Sequence, residues 1–227
     1  MKPLALITGA SRGIGRAIAT ELGRTHRVLV GGRDRAAVAE VVAALPDAAP
    51  FLADLTDEGA VATACAGIER LDVLVHSAGV IGHLGPVADA PASAWREAME
   101  VNVIAPATLT RLLLPALRTA RGLVVFINSG AGLHASPDWS VYGASKFALT
   151  ALADALRAEE ARQVRVTTVH PGRTATAMQA ALRAAEGRPY QPERYLAPED
   201  VARTVRLAVD LPPGASLESL RIAPAPR

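Results

Sequence analysis

The chain has 227 residues, half of them hydrophobic and a fifth charged, with a net charge of +2 and a pI near 9.0. That balance excludes a disordered chain and suits one sizeable domain able to bury most of its apolar surface. The arginines are scattered rather than gathered into a stripe, which argues against nucleic acid, and the single cysteine, Cys65, has no internal disulfide partner.

The chain opens on Met1-Lys2-Pro3 and then an apolar run, 4–8, rather than a signal peptide. No uninterrupted apolar run approaches the roughly 18 residues that would cross a bilayer. With the lone cysteine, this sets the expectation of a soluble, cytoplasmic protein with no membrane partner.

The run 4–8 leads into Thr8-Gly9-Ala10-Ser11-Arg12-Gly13-Ile14-Gly15, a G-x-x-x-G-x-G spacing between a strand and a helix predicted over 15–23. Gly9 suits a tight turn, Gly13 a close backbone approach to a pyrophosphate, and Gly15 a helix lying close to the sheet. The helix N-terminus that follows suits a phosphate. A second strand, 27–31, ends Gly31-Gly32-Arg33, with glycine where an acidic residue would accept from the ribose hydroxyls of NAD. Arg33 and Arg12 are natural clamps for the extra phosphate of NADP, so NADP(H) is the expected cofactor. Asp34 keeps NAD(H) open as the alternative, since it supplies the missing acid if the strand ends a residue or two later.

Further along, helical spacing over 35–45, 57–67, 93–118 and 143–162 alternates with Val/Ile/Leu-rich runs at 72–76, 123–128 and 164–169. These runs lack strict alternation, as strands buried on both faces of a parallel sheet do. The pattern predicts an α/β fold, one doubly wound (Rossmann-type) domain with a mostly parallel central sheet flanked by helices. The stretch 173–197 breaks the rhythm with Gly187, Pro189 and Pro192 and is expected to cover the ligand crevice. Residues 217–223 read as a last short edge strand.

Two lysines stand among 24 Lys and Arg residues, Lys2 and Lys146, and Lys146 lies four residues after Tyr142 in Tyr142-Gly143-Ala144-Ser145-Lys146. At the start of a helix that spacing puts both side chains on one face. A cation beside a phenol favours the phenolate and lowers its pKa, so a tyrosine tuned this way exchanges a proton with a carbonyl or alcohol oxygen. A compact ammonium suits the place better than arginine's planar fork. His76, His134 and His170 lie on separate loops without carboxylate or cysteine companions at ligand spacing, so no metal site is expected.

The ordered set of motifs resembles the short-chain dehydrogenase/reductase family over essentially the whole chain. Thr8-Gly9-x3-Gly13-x-Gly15 resembles its cofactor loop, Asp54-Leu55 the adenine contact, and Ser77-Ala78-Gly79 the family's Asn-Ala-Gly. Asn102, Ser129, Tyr142 and Lys146 match its catalytic residues, and Pro171-Gly172-x-Thr174-x-Thr176 its motif at the nicotinamide end. The resemblance implies Tyr142 as acid/base, Lys146 as the group that lowers its pKa and binds the ribose, Ser129 as holder of the substrate oxygen, and Asn102 as the residue positioning a water toward Lys146. It also implies a ketone or aldehyde reductase with a small-molecule substrate, working as a homodimer or homotetramer through the helices near 93–118 and 143–162. Ile81, Leu133, His134, Trp139, Met178 and Tyr190 are the expected pocket walls. Two departures stand out: Phe126-Ile127-Asn128-Ser129 replaces the family's Asn-x-Ser-Ser, and His76 precedes Ser77 where the family has asparagine. The competing readings are an NAD-dependent alcohol dehydrogenase and a dinucleotide-binding sensor without catalysis.

Overall fold

The computed structural model describes residues 2–225. Its strands are β1 (Leu4–Ile7), β2 (Arg27–Gly32), β3 (Ala48–Leu52), β4 (Val73–His76), β5 (Leu123–Ile127), β6 (Arg165–Pro171) and β7 (Ser219–Ile222). They form one seven-stranded sheet in the order β3-β2-β1-β4-β5-β6-β7, and all six pairings are parallel. The helices are α1 (Gly13–Leu22), α2 (Arg35–Ala43), α3 (Glu58–Cys65), α4 (Ala92–Met99), α5 (Ala105–Ala120), α6 (Ser140–Glu159), α7 (Ala177–Ala185) and α8 (Pro198–Val209).

The strand sequences sort themselves by period 2 into two cores. Ala5 and Ile7, Val73 and Val75, and Leu123 and Val125 face α1, α2 and α8, with Ile18, Val38 and Val201 packed against them. Leu6, Leu74, Val124 and Phe126 face the other way, onto Val61, Leu109, Leu113 and Leu149 of α3, α5 and α6. Each fully buried Leu or Ile of these layers contributes about 1.5–3 kcal/mol of transfer free energy, which is why the central strands read as continuous apolar runs. β3 is passed over by that signal. It starts Ala48-Ala49-Pro50, and Pro50 is tolerated because β3 is an edge strand bonded only to β2.

The helical stretch expected at 93–118 is interrupted. A π-helical turn over Glu100–Ile104 separates α4 from α5 and swings Asn102 into the interior, where it is 1% exposed. The stretch 173–197, expected to be irregular, contains α7 and a short 3-10 turn at Pro192–Arg194. Chain order leaves β1 toward β3 on one side and resumes at β4 on the other, so the crevice between β1 and β4 lies at a topological switch point. Among the described residues no helix is long and apolar enough to cross a membrane.

Candidate active site

The first turn is fastened across that switch point by Thr8. Its Oγ1 accepts from the Ser77 and Ala78 amides at 3.0 and 3.1 Å, tying the end of β1 to the end of β4. Gly9 follows with φ of 62°, and a Cβ there would lie 2.8 Å from Ala78 Cα. A Cβ on Gly15 would sit 2.3 Å from the Gly9 carbonyl oxygen, so only glycine lets α1 start this close to the turn. Arg12 precedes α1 in extended conformation and supplies no side-chain cap, which leaves the first-turn amides of α1 for a ligand.

At the end of β2 the two candidate charges part ways. Asp34 caps α2, its Oδ1 accepting from the Ala36 and Ala37 amides at 3.0 and 3.1 Å. Arg33 is exposed, and its Nη1 lies 3.4 Å from Asp54 Oδ2. Asp54 is oriented by Thr56, whose amide and hydroxyl both donate to its Oδ1 at 3.0 and 2.8 Å. The Thr56 amide, with that hydroxyl and Arg33, holds the Asp54 carboxyl below the usual carboxylate range.

At the other end of the crevice, α6 places Tyr142 and Lys146 one turn apart. Lys146 is buried, its Nζ donating to the Ile127 carbonyl at 3.2 Å and standing 5.7 Å from the centroid of the Tyr142 ring. Burial pushes the ammonium down to about 8. Burial also pushes the Tyr142 phenol above its ordinary value, against the neighbouring Ser129 side chain, which lowers it. Ser129 Oγ accepts from the Ala131 amide at 3.1 Å.

Asn102 clasps the loop after β4. Its Oδ1 accepts from the Val80 amide at 2.9 Å, and its Nδ2 donates to the Val80 carbonyl at 2.8 Å and to Ser145 Oγ at 3.0 Å. Ser145 Oγ in turn donates to the Tyr142 carbonyl at 2.8 Å. Asn102 therefore joins the β4 loop to the N-terminal part of α6.

A cleft of about 360 Å³ runs between these ends. Its wall carries Gly9, Ser11, Arg12, Gly13, Ile14, Gly15, Arg33, Asp54, Leu55, Ser77, Ala78, Gly79, Tyr142, Lys146, Thr176 and Met178. Asn102, which is buried and bonded to Val80 of the wall, and half-buried Ser129 are not among the residues that line it. Pro171, Gly172 and Thr174 lie outside it: the Gly172 amide donates to the Ile222 carbonyl at 2.7 Å, and Thr174 bridges to Leu196. Of the expected pocket walls only Met178 lines the cleft. Trp139 meets Tyr142 edge-on at 5.8 Å, Tyr190 packs on Tyr195 at 5.7 Å, Leu133 and His134 are exposed, and Ile81 is half-buried outside the wall. Thr56, Glu97 and Asn128 line the cleft without having been singled out for it. Asp-x-Thr is a recognisable side-chain turn and offered a signal for Thr56; Glu97 and Asn128 offered none.

His76 and His170 are engaged elsewhere, and His134 is exposed. His76 Nε2 meets Thr110 Oγ1 at 2.8 Å, its ring stacks on Phe126, and burial holds it near 3; His170 Nδ1 meets the Ser129 carbonyl at 3.1 Å. Among the described residues, no three of His, Cys, Asp and Glu gather where a metal ion would sit.

The family profile described as short chain dehydrogenase matches residues 3–187. The short-chain type dehydrogenase/reductase y4eK of Sinorhizobium fredii is 36% identical over 227 aligned residues, covering 97% of this chain and 91% of that protein. An alcohol dehydrogenase of the archaeon Thermococcus sibiricus, complexed with 5-hydroxy-NADP, superposes with a TM-score of 0.89 at 25% identity over 98% of this chain and 96% of that one. Actinorhodin polyketide ketoreductase, as a variant with NADPH, gives a TM-score of 0.89 at 26% identity over 97% and 95%.

Proposed function

The chain belongs to the short-chain dehydrogenase/reductase family of oxidoreductases, and on that premise we propose that it is an NADPH-dependent reductase of a ketone or aldehyde, also able to run the reverse alcohol oxidation. The observation that carries this reading is the Tyr142 phenol, beside Ser129 and one helical turn from buried Lys146, on the wall of a cleft that also bears Arg12 and Arg33. The residues fit a dinucleotide. Gly9 and Gly15 keep side chains out of the turn, the first amides of α1 face it, and the two arginines suit the extra phosphate of NADP. Asp34 caps α2 through its Oδ1 and is not among the residues lining the cleft, which disfavours it as the acid that an NAD-dependent reading needs. Both solved relatives above were determined with NADP-type cofactors, which supports the same preference.

When bound, the nicotinamide cofactor supplies the hydride. The chain's own part is proton handling and orientation. As charge builds on the carbonyl oxygen, the Tyr142 hydroxyl gives it a proton and Ser129 Oγ–H is the second donor. The raised phenol keeps Tyr142 protonated at neutral pH, the form that reduction consumes. Lys146 Nζ, 5.7 Å from the Tyr142 ring centroid, is the cation beside the phenolate left behind, and Asn102 ties the β4 loop to α6. Segment 173–197 covers the cleft in this proposal, since Thr176, Ala177 and Met178 already line it. Assembly into a homodimer or homotetramer goes through α5 and α6, with Phe147 of α6 44% exposed and Ile104, at the end of the π-helical turn just before α5, 47% exposed.

The test is consumption of NADPH, against NADH, by the purified protein over a panel of aldehydes and ketones, with Tyr142→Phe alongside. Turnover should fall by about 10²–10⁴-fold in the variant, with cofactor affinity kept. Turnover that prefers NADH would overturn the cofactor assignment, and a variant as active as its parent would overturn the role of Tyr142.

A further inference from the structure

The end of β5 holds a polar knot that the proton chemistry above leaves without a role. Asn128 is 4% exposed, and its amide is engaged on both sides. Its Oδ1 accepts from the Ser129 amide at 2.9 Å, while its Nδ2 donates to the Lys146 carbonyl at 3.1 Å and to Thr150 Oγ1 at 2.9 Å. One side chain therefore grips the backbone of two of the three groups proposed to handle the proton, and the third, Tyr142, stands one helical turn before Lys146.

The neighbours tighten the same joint. Lys146 Nζ donates to the Ile127 carbonyl at 3.2 Å, so Lys146 is held at both ends by consecutive residues of one strand end. Gly132 marks how closely the turn after Ser129 meets α6, since a Cβ there would lie 2.6 Å from Asn128 Oδ1 and 2.8 Å from the Lys146 carbonyl oxygen. Serine, the residue the family resemblance leads one to expect at 128, has a hydroxyl with one donor. Asparagine at this reach offers an acceptor and two donors, which the three contacts use.

We infer that Asn128 is a positioning residue that sets the spacing between the Ser129 hydroxyl and the Tyr142–Lys146 face of α6. The inference rests on the reductase reading for its consequence in rate, and on the hydrogen bonds alone for its consequence in structure. Misplacing a proton donor by about 1 Å costs on the order of 10²-fold in rate.

Asn128→Asp tests it, keeping shape and the acceptor for Ser129 while removing both donors to α6; Asn128→Ser is the second variant, in case the buried carboxylate prevents folding. Three readouts are taken: amide hydrogen exchange in the cofactor-free protein, NADPH affinity by fluorescence, and kcat with its pH profile. Exchange at Ser129–Gly132 and over Tyr142–Lys146 should quicken by about tenfold, the worth of one hydrogen bond, with β1 and β4 unchanged. NADPH affinity should change less than kcat, which falls by roughly 10–100-fold while its pH profile moves. A folded variant with kcat and pH profile within about twofold of the parent overturns the inference. Exchange that rises across the whole sheet with an unmoved pH profile also overturns it, being general loosening. If the parent itself reduces no carbonyl, the reductase reading has failed; exchange quickened only at the knot then upholds the joint, and unchanged exchange overturns it.

Discussion

Lys146 sits where burial and function pull against each other. Lys146 is 5% exposed, and burial pushes its ammonium down to about 8 from an ordinary 10.5 because it disfavours the charged form. Between those two values the unfolded chain holds more protons than the folded one, so stability rises with pH across that window. Below pH 8 the penalty is fully present, and above 10.5 it is gone. The difference amounts to about 3 kcal/mol at pH 7. Lys146→Met should therefore stabilise the cofactor-free protein by up to about 3 kcal/mol at pH 7, less the lost bond to the Ile127 carbonyl, and by little at pH 10.5. Urea titrations of parent and variant at both pH values measure this, and a variant less stable than its parent at pH 7 contradicts it. Arg33 is the second residue with a directional expectation. Arg33→Ala should raise the NADPH Kd by about 10–100-fold and leave the NADH Kd nearly unchanged, the worth of a charge-assisted hydrogen bond or two. Titration by fluorescence with both cofactors reads the difference, and equal losses for the two would place Arg33 outside phosphate recognition.

The elements carry the site through their ends. The turn between β1 and α1 depends on the absence of a side chain at Gly15, where a Cβ would press 2.3 Å from the Gly9 carbonyl oxygen. Gly15→Ala should cost about 1–3 kcal/mol of stability from overpacking. It should weaken NADPH binding in parallel as the turn is pushed outward, which thermal melts with and without cofactor will show; an unchanged melt would mean the turn yields freely. This turn was readable in advance, because a glycine spacing between a strand and a helix is local information. The break between α4 and α5 was not. Nothing in the apolar period over 93–118 marks a π-helical turn, and its position follows from where the Asn102 amide finds Val80 and Ser145, on other elements. β3 escaped for a related reason: Pro50 spoils the local strand pattern and is harmless only because β3 lies at the sheet edge.

At the scale of the molecule, the cleft gathers the ends of β1, β2, β4 and β5 with the first turns of α1, α6 and α7. A ligand that bridges so many elements stabilises the folded state through all of them. NADPH at a hundred times its Kd should add about 2.7 kcal/mol, or roughly 5–10 °C in Tm for a chain of this length. NADH at the same concentration should add clearly less, and a thermal shift that is equal for both would argue against discrimination at the β2 end. Segment 173–197 is latched at its base, since Glu186 pairs with both Arg173 and Arg183. That pairing ties the far end of α7 back to the residue that follows β6 and Gly172.

The sequence by itself determined the alternation of strands and helices apart from β3, α7 and the α4–α5 break, together with the glycine turn and the Tyr142–Lys146 spacing, because each is written in short-range periods and turn chemistry. It also singled out Arg12 and Arg33. Tertiary structure alone decided the proton states, since desolvation depends on atoms brought in from β4, β5 and the loops around them. It likewise sorted Asp34 to a helix cap and Arg33 to the cleft, two adjacent residues that no spacing rule separates. Asn128 is the clearest case. By sequence it was a departure beside Ser129, and only folding, which sets β5 against α6, gave its amide the Lys146 carbonyl to hold.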